Sequence, residues 1–302
     1  MAAQVARRGR RRGPPLHFLA VFIGPSLLLY GAFVLWPAIN AFLYSLLRWD
    51  GLGKPVYVGL KNFRSIVAHG SQFAVAFGHN VFLTVVPGAL ILALALYFAF
   101  VIHQRVPGAR VFRITFFFPN VISSVAISLL WILIYSTAQV GLLNHALHAW
   151  FHVKQPVPFT SDQNLLWALV PMMAWAATGF YMVLLLAAME NIPESYYEAA
   201  RLDGAGPTVL FRKITVPLIW DVITVGVIFL VIGGLKIFDV IWVMDNGQPS
   251  NSTHTMATLM YSKVFEEYNV GYGTAIAVFL FLQVLLATLL SQRLMRREAL
   301  EY

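Results

Sequence analysis

Long apolar runs separated by short polar stretches are the main pattern of this 302-residue chain. About 20 apolar residues in a row are enough for a helix to cross the hydrocarbon core of a bilayer. Five runs reach that length without a charged residue, at 18–47, 81–102, 114–135, 164–189 and 270–292. A sixth run, at 222–244, is interrupted by Lys236 and Asp239, and we count it as the fifth span in chain order. The pattern predicts an all-α polytopic membrane protein with six transmembrane helices.

The amino-acid composition agrees with a membrane location. Hydrophobic residues make up 59% of the chain and charged residues only 11%, against roughly 25% charged residues in soluble domains. The absence of cysteine excludes disulfide scaffolds, thiolate metal sites and cysteine nucleophiles. The formal net charge of +8 does not indicate nucleic acid, because the cations alternate with apolar runs instead of covering one solvated face. We expect membrane lipid as a partner and no nucleic acid.

Lysine and arginine are unevenly distributed among the segments between the spans. Fourteen of the 21 lie on one predicted side: Arg7, Arg8, Arg10, Arg11 and Arg12; Arg105, Arg110 and Arg113; Arg201, Arg212 and Lys213; Arg293, Arg296 and Arg297. Such an excess marks the cytoplasmic side. Both termini are therefore predicted to be cytoplasmic, in a multi-pass protein of the cell inner membrane.

The expected organisation is a single membrane domain with two short tails. A basic cytoplasmic tail is predicted at 1–15, the six-helix domain at 16–292, and a cytoplasmic tail at 293–302. The first apolar run, at 18–47, is much longer than the 7–15 apolar residues of a signal peptide, so we expect it to be retained as a span.

The predicted cytoplasmic loop at 190–217 differs from the other loops because it contains seven charged residues. Pro193 is suited to the first turn of a helix, where its missing N–H would have no partner in any case. This helix is predicted to continue to Leu202. The sequence Asp203-Gly204-Ala205-Gly206 then breaks it, and a second helix is predicted from Pro207.

The first of these two helices has features of a surface that another protein grips. Ala199 and Ala200 allow close approach of a second backbone, and Glu194 and Glu198 share one face of the helix. Arg201, three residues after Glu198, is expected to pair with it. On the residues alone, an ordinary solvated loop with two amphipathic turns explains the same pattern, and both interpretations stay open at this point.

A family resemblance favours the first interpretation. The sequence Glu198-Ala199-Ala200-Arg201-Leu202-Asp203-Gly204-Ala205, followed by Phe211, Ile214 and Pro217, resembles the EAA signature of binding-protein-dependent ABC importer permeases. One departure is Val216, where the family usually has leucine. Further stretches resemble the carbohydrate (maltose, multiple-sugar, glycerol-phosphate) type of these permeases, at 57–63, 116–119, 141–144, 238–239, 251–253 and 271–275. Residues 246–249 depart from that type, which often has a glycine-rich stretch there, and this departure concerns docking to the receptor.

The resemblance implies several partners. A soluble extracytoplasmic solute-binding protein delivers a sugar or sugar-like solute to this permease and a second homologous permease, and two cytoplasmic ATPase subunits drive transport. The EAA helix lies in a cleft of one ATPase. The implied ATPase-coupling residues are Glu198, Ala199, Ala200, Asp203, Gly204, Ala205 and Phe211.

The nucleotide is expected on the partner subunits. The chain has no G-x-x-x-x-G-K-[ST] loop that could cradle ATP. ATP and Mg are therefore expected on the ATPase subunits, with no cofactor bound by this chain and no catalytic activity of its own.

The fifth span is the expected location of a solute path. Lys236 and Asp239 are three residues apart, so on one helix they would share a face and could pair. Ionisable residues at membrane depth usually face a cavity or a partner. Phe238 and Trp242, four residues apart, are aromatic residues of the kind that stack on sugars. The alternative is that the helix ends near Leu235 and leaves Lys236 and Asp239 at the external interface. Both interpretations stay open, and the resemblance favours a role in the solute path.

Other interpretations explain less of the chain. His145, His148 and His152 lie on one face of a predicted external helix, but no fourth zinc ligand is evident, which favours a helix at the membrane surface. A stand-alone secondary transporter or channel would predict two inverted halves and leaves the EAA signature unexplained. For a membrane-embedded hydrolase, no base and nucleophile can be paired.

Overall fold

The computed structural model describes residues 16–104 and 106–297. Its first half contains helices α1 (Leu16–Tyr30), α2 (Trp36–Tyr44), α3 (Lys61–His69), α4 (Ser71–His103), α5 (Ala109–Val121), α6 (Ser124–Tyr135), α7 (Leu142–Phe151) and α8 (Leu165–Glu190). A short hairpin pairs β1 (Leu47–Arg48) with β2 (Val56–Tyr57) in antiparallel register. The predicted basic tail at 1–15, Arg105 and residues 298–302 lie outside the described residues.

The second half is also helical. It contains α9 (Glu194–Leu202), α10 (Pro207–Leu210), α11 (Val216–Leu218), α12 (Trp220–Leu235), α13 (Asp239–Met244), α14 (Met256–Tyr261) and α15 (Val270–Met295). Three single π-helical turns, Gly31–Leu35, Phe211–Thr215 and Ser262–Glu266, connect α1 to α2, connect α10 to α11 and follow α14. The predicted all-α class is confirmed.

Several helices are long and apolar enough to cross a membrane. Within the described residues, four stretches meet this criterion alone: Val21–Tyr44, Ser71–His103, Leu165–Glu190 and Val270–Met295. Two bent pairs meet it together: Ala109–Val121 with Ser124–Tyr135, and Pro207–Leu218 with Trp220–Leu235. The structure therefore has four candidate spans, or up to six if each bent pair is one span. The predicted six match the upper number, but the second pair covers 207–235 instead of the predicted 222–244.

The third predicted span is not one continuous helix. α5 and α6 meet at an angle of 100°. Pro119 lies in the last turn of α5 and has no N–H to continue the helix, and Ser123 caps the start of α6 by accepting a hydrogen bond from the backbone N–H of Ala126. The predicted third span at 114–135 is therefore broken at its centre into two helices.

The long helix α4 contributes to three apolar cores, and the two larger ones frame the regions described below. Its 33 residues extend about 50 Å at 1.5 Å per residue, and it begins ten residues before the predicted position 81. The loop-side core lies near α9 and includes Ile91, Ala95, Ala99, Leu185, Met189 and Ile223. The far-side core lies at the other end of α8, near α6 and α13, and includes Leu83, Ile127, Tyr135, Leu165, Leu169 and Ile241. Because both cores contain residues of α4 and α8, these two neighbouring helices form the frame of the fold.

Candidate functional site

Glu190, the first residue of the predicted loop at 190–217, still belongs to α8. The remaining residues, which we call the 191–217 loop, fold as two short helices with a sharp break, as predicted. α9 begins directly after Pro193 and ends at Leu202, and α10 begins at Pro207. Gly204 has φ = +81°, a conformation that residues with a Cβ rarely adopt. The backbone N–H of Ala205 then donates to the carbonyl of Ala200 at 2.9 Å. This bond closes the end of α9 and fixes the direction in which the chain leaves it.

One face of this loop is anchored to the end of α4. Tyr197 is buried, its hydroxyl lies 3.1 Å from Oγ1 of Thr215, and its ring packs against His103 with ring centroids 5.5 Å apart. The rings of Phe211 and Phe100 pack at 4.7 Å. The loop is therefore attached to the loop-side core by aromatic packing on α4.

The seven predicted coupling residues fall into two groups. Glu198, Ala199, Asp203 and Gly204 are exposed, whereas Ala200, Ala205 and Phe211 are half-buried and pack against the loop-side core. Leu202, at the end of α9, is 90% exposed. An exposed leucine beside exposed polar residues is an apolar contact point for a partner surface, and Leu202 was not among the predicted coupling residues.

The ion pair of α9 differs from the predicted one. Arg201 Nη1 lies 3.4 Å from Glu194 Oε1, not beside Glu198. At 100° per residue, positions seven apart are about 20° from each other around a helix, whereas positions three apart are about 60° from each other. Arg201 and Glu194 therefore lie on nearly the same line along α9, which leaves the Glu198 carboxylate without a salt bridge among the described residues.

A polar cavity of about 520 Å³ lies behind α9. Its wall includes His103, Gln104, Arg113, Glu190, Glu194 and Arg201, from the ends of α4 and α8, the first half of α5 and both ends of α9. Arg113 pairs with Glu190 at 2.5 Å, and Arg201 pairs with Glu194. Among the described residues of this wall, the two arginines balance the two glutamates, so these four side chains carry no excess of one charge.

The fifth span breaks where the charged residues interrupt it. α12 ends at Leu235, and α13 begins at Asp239. The prediction that Lys236 and Asp239 share one helix face is therefore wrong, and the alternative that the helix ends near Leu235 is confirmed. Among the described residues Lys236 makes no salt bridge to Asp239. The Asp239 carboxylate instead accepts a hydrogen bond from Ser124 Oγ at 3.0 Å. This bond joins the break in the fifth span to the break in the third.

Residues 236–255, from the end of α12 to the start of α14, form what we call the 236–255 segment. Within it, the rings of Phe238 and Trp242 stack on each other, with centroids 5.4 Å apart and an interplanar angle of 14°. Tyr261 lies edge-on to Trp242 at 4.6 Å, and Phe265 contacts Tyr261. The two predicted aromatic residues thus belong to one cluster of four rings.

The histidine helix is present as predicted. α7 covers Leu142–Phe151, and His152 follows it with φ = +54°. The ring nitrogen Nε2 of His145 lies 2.5 Å from the carbonyl of Gln139, and Nδ1 of His148 lies 3.2 Å from that of Val153. Each of these rings therefore contacts backbone close to its own helix.

Residues 86–299 match the protein family described as "Binding-protein-dependent transport system inner membrane component". The matched stretch contains both the 191–217 loop and the 236–255 segment. The chain belongs to this family. It is an inner-membrane permease subunit of an ABC importer, as the EAA signature predicted.

Individual relatives have sequences similar to the permease over most of its length. A probable ABC transporter permease protein of Pyrococcus horikoshii is 31% identical over 289 residues, which are 92% of this chain and 96% of the relative. The alpha-glucoside transport system permease protein of Rhizobium meliloti is 33% identical over 276 residues, 87% of this chain and 78% of the relative. The crystal structure of a bacterial ABC transporter involved in the import of the acidic polysaccharide alginate has a chain of the same fold. The superposition of the two chains has a TM-score of 0.81 at 21% identity. It covers 94% of the permease and 96% of that chain.

Proposed function

We propose that this permease forms, with a second homologous permease, the path for a sugar or sugar-like solute. A solute-binding protein delivers the solute from outside the cell, and two ATPase subunits on the cytoplasmic side drive its import. The alpha-glucoside transport function of the Rhizobium meliloti relative supports a carbohydrate as the solute.

The exposed face of α9 is the observation that carries the coupling part of this proposal. Tyr197 and Phe211 anchor the loop, while Glu198, Leu202 and Asp203 remain exposed. An anchored helix that presents one apolar residue among polar ones has the composition of a small docking surface, in which a central apolar residue enters a pocket of the partner. We assign this face to the ATPase, with Ala199, Ala200, Gly204 and Ala205 shaping the backbone beside it.

The proposed orientation follows from the same assignment. The cytoplasmic side carries the 191–217 loop, both termini and the ATPase subunits. The excess of arginine in the same segments indicates the same side. ATP and Mg are bound by the ATPase subunits, and this chain neither binds them nor catalyses a reaction.

The solute path includes the exposed side of the 236–255 segment. Lys236 and Asp239 are exposed on the surface of the helical bundle. Exposed charges are costly against lipid and usually face an aqueous cavity or a protein partner. We therefore place Lys236, Phe238, Asp239 and Trp242 along the path shared with the second permease, where the carboxylate accepts hydrogen bonds from solute hydroxyl groups.

A leucine pair tests the docking surface. Leu202→Asp places a charge where an apolar side chain enters the ATPase cleft, and desolvation of that charge is expected to lower solute uptake at least about tenfold. Leu142→Asp is the matched control, since Leu142 is also exposed but lies on α7, beyond the opposite end of α8. The complete complex, with its partner permease, ATPase subunits and binding protein, is reconstituted in proteoliposomes for measurements of uptake and stimulated ATP hydrolysis.

The two leucine variants separate the possible results. Loss of uptake and of stimulated hydrolysis in Leu202→Asp alone supports the proposal. Equal activity of the two variants would contradict the assignment of this face to the ATPase. Solute transport by the purified permease without any ATPase would instead favour a stand-alone transporter.

A further inference from the structure

Asn80, on α4, is fully buried and hydrogen-bonded to two other parts of the chain. Its side-chain N–H donates to the carbonyl of Leu235 at 2.8 Å and approaches that of Gly234 at 3.4 Å. Its Oδ1 accepts a hydrogen bond from the backbone N–H of Met256 at 2.7 Å. One amide side chain thus bonds to the end of α12 and the start of α14.

These two contacts lie at the two ends of the 236–255 segment. Leu235 is the last residue before the segment, and Met256 is the first residue after it. The two ends are also linked directly, because Thr255 Oγ1 donates to the carbonyl of Ile237 at 3.0 Å. Next to Asn80, Nδ1 of His79 lies 2.8 Å from the carbonyl of His254. The segment therefore begins and ends at one buried point on α4.

The chemistry of asparagine suits this position. The last carbonyl groups of a helix have no partner within the helix, and a buried carbonyl without a partner is costly. Asparagine can donate and accept at the same time, so it satisfies a helix C-terminus with one side of its amide and an N–H group with the other. The end of α12 can lie this close to α4 because residue 234 is glycine. A Cβ on Gly234 would lie 2.6 Å from Thr84 Oγ1 and 2.7 Å from Thr84 Cα.

The segment depends on these bonds for its position. α13 has only six residues, and an isolated helix of that length is unstable in water. Between its ends, α13 packs into the far-side core through Ile241 and Met244, and Ser124 at the start of α6 bonds to Asp239. The bonds at the two ends fix where the chain enters and leaves this contact, and so they help to set the placement of Phe238 and Trp242.

We propose that Asn80 is a positioning residue for the solute path: by bonding to both ends of the 236–255 segment, it holds α13 in the geometry that transport requires. Asn80 does not touch the solute. The inference rests on the proposed function for its effect on transport, whereas its effect on the segment can be measured without any solute.

Two substitutions and one control separate this role from simple packing. Asn80→Leu removes both the donor and the acceptor at similar volume. Asn80→Asp keeps an acceptor for the Met256 N–H but loses the donor to Leu235. Thr178→Val is the control, because Thr178 is also buried but bonds only to Ala174 within its own helix, at 2.6 Å.

The natural absence of cysteine makes a direct distance measurement possible. Spin labels are attached to Val75→Cys on α4 and Gln248→Cys in the segment, two exposed positions, in the assembled complex. We expect a narrow distribution of the distance between the two labels when no further residue is substituted, and also when Thr178→Val is added. Asn80→Leu and Asn80→Asp are expected to broaden it. We also expect them to lower the solute transported per ATP hydrolysed about tenfold, the factor that corresponds to one hydrogen bond to a buried group.

The outcomes are distinguishable. Unchanged distances and unchanged transport per ATP in both Asn80 variants would overturn the proposal, and so would failure of both variants to assemble while Thr178→Val assembles, which would leave a purely structural role. If the unsubstituted complex transports no sugar, the proposed function fails, but the distance measurement still decides whether Asn80 positions the segment.

Discussion

The 191–217 loop and the 236–255 segment both connect longer helices, but different forces hold them in place. Aromatic rings anchor the loop, through Tyr197 on His103 and Phe211 on Phe100. Hydrogen bonds from Asn80 and Thr255 anchor the two ends of the segment, while Ile241 and Met244 pack its middle into the far-side core. Apolar packing is non-directional, whereas a hydrogen bond weakens steeply when its angle changes. The loop therefore keeps its attachment under small rotations, and the segment has one defined geometry.

This difference predicts different consequences of substitution. Changes on the exposed face of α9 should alter contact with a partner and leave the fold intact. Changes at the ends of the 236–255 segment should alter the geometry of the chain itself. The predictions below test this contrast, in order of decreasing expected effect.

The largest effect is expected from Glu198→Lys combined with Gly204→Ala. The charge reversal changes the exposed face of α9, and alanine is strained at φ = +81°. We expect assembly in the membrane to be retained and solute uptake to fall by about tenfold or more, as for loss of one central docking contact. Uptake into proteoliposomes is the measurement.

The control for the glycine part of this variant is Gly206→Ala. Gly206 has φ = −77° and open space around its Cα, so alanine is unstrained there. Normal uptake by the double variant would show that α9 is not the coupling element.

The next effect concerns two adjacent glycines. A Cβ on Gly234 would lie 2.6 Å from Thr84 Oγ1, whereas a Cβ on Gly233 meets nothing within 4 Å. Gly234→Ala is expected to destabilise the permease by about 1–3 kcal/mol, as for overpacking of a well-packed contact. Gly233→Ala should not destabilise it. Thermal unfolding of the purified protein in detergent measures both, and equal midpoints would contradict the close approach of α12 to α4.

A smaller effect is expected at Asp239. Asp239→Ala removes the hydrogen bond to Ser124 and any contact with solute, and we expect the half-saturating solute concentration in uptake to rise about threefold to tenfold. Ser124→Ala removes the same hydrogen bond but keeps the carboxylate. If the two variants behave alike, the carboxylate acts only through Ser124, and its place in the solute path is refuted.

The smallest effect is expected for Arg201→Gln. The side chains of Arg201 and Glu194 are 52% and 56% exposed, and solvent screens such a pair, so its loss should change stability by less than about 1 kcal/mol. An unchanged unfolding midpoint is the expected result. A clear decrease would mean that this ion pair, and not the aromatic rings alone, holds the loop.

The 191–217 loop is predictable from sequence because its determinants act locally. Pro193, Gly204 and Pro207 set the start, the break and the restart of its helices within a few residues of their own positions. The partner of Arg201 is harder to predict, since two glutamates of the same helix lie within reach, at three and at seven residues, and the structure pairs it with Glu194. The exposure of Leu202 follows from the burial of Tyr197 on the other side of the same helix.

The 236–255 segment is not predictable in the same way. Asn80 and Leu235 are 155 residues apart, and no local pattern indicates that a single asparagine within an apolar run bonds to a distant helix end. The charged residues Lys236 and Asp239 correctly indicate the site of the break, but the assumption of a continuous helix gives them the wrong partner. In the third span, by contrast, Pro119 and the capping residue Ser123 are local signals of the bend.

The length of α4 has a mechanical consequence. Phe100 and His103, which contact the 191–217 loop, and Asn80, which holds the 236–255 segment, lie on this one helix. They are about 30–35 Å apart at 1.5 Å per residue. A helix is stiff along its axis, so a displacement of one end of α4 along that axis also displaces the other end. Pro87 interrupts the backbone hydrogen bonding between these two ends, so α4 bends most easily at this residue.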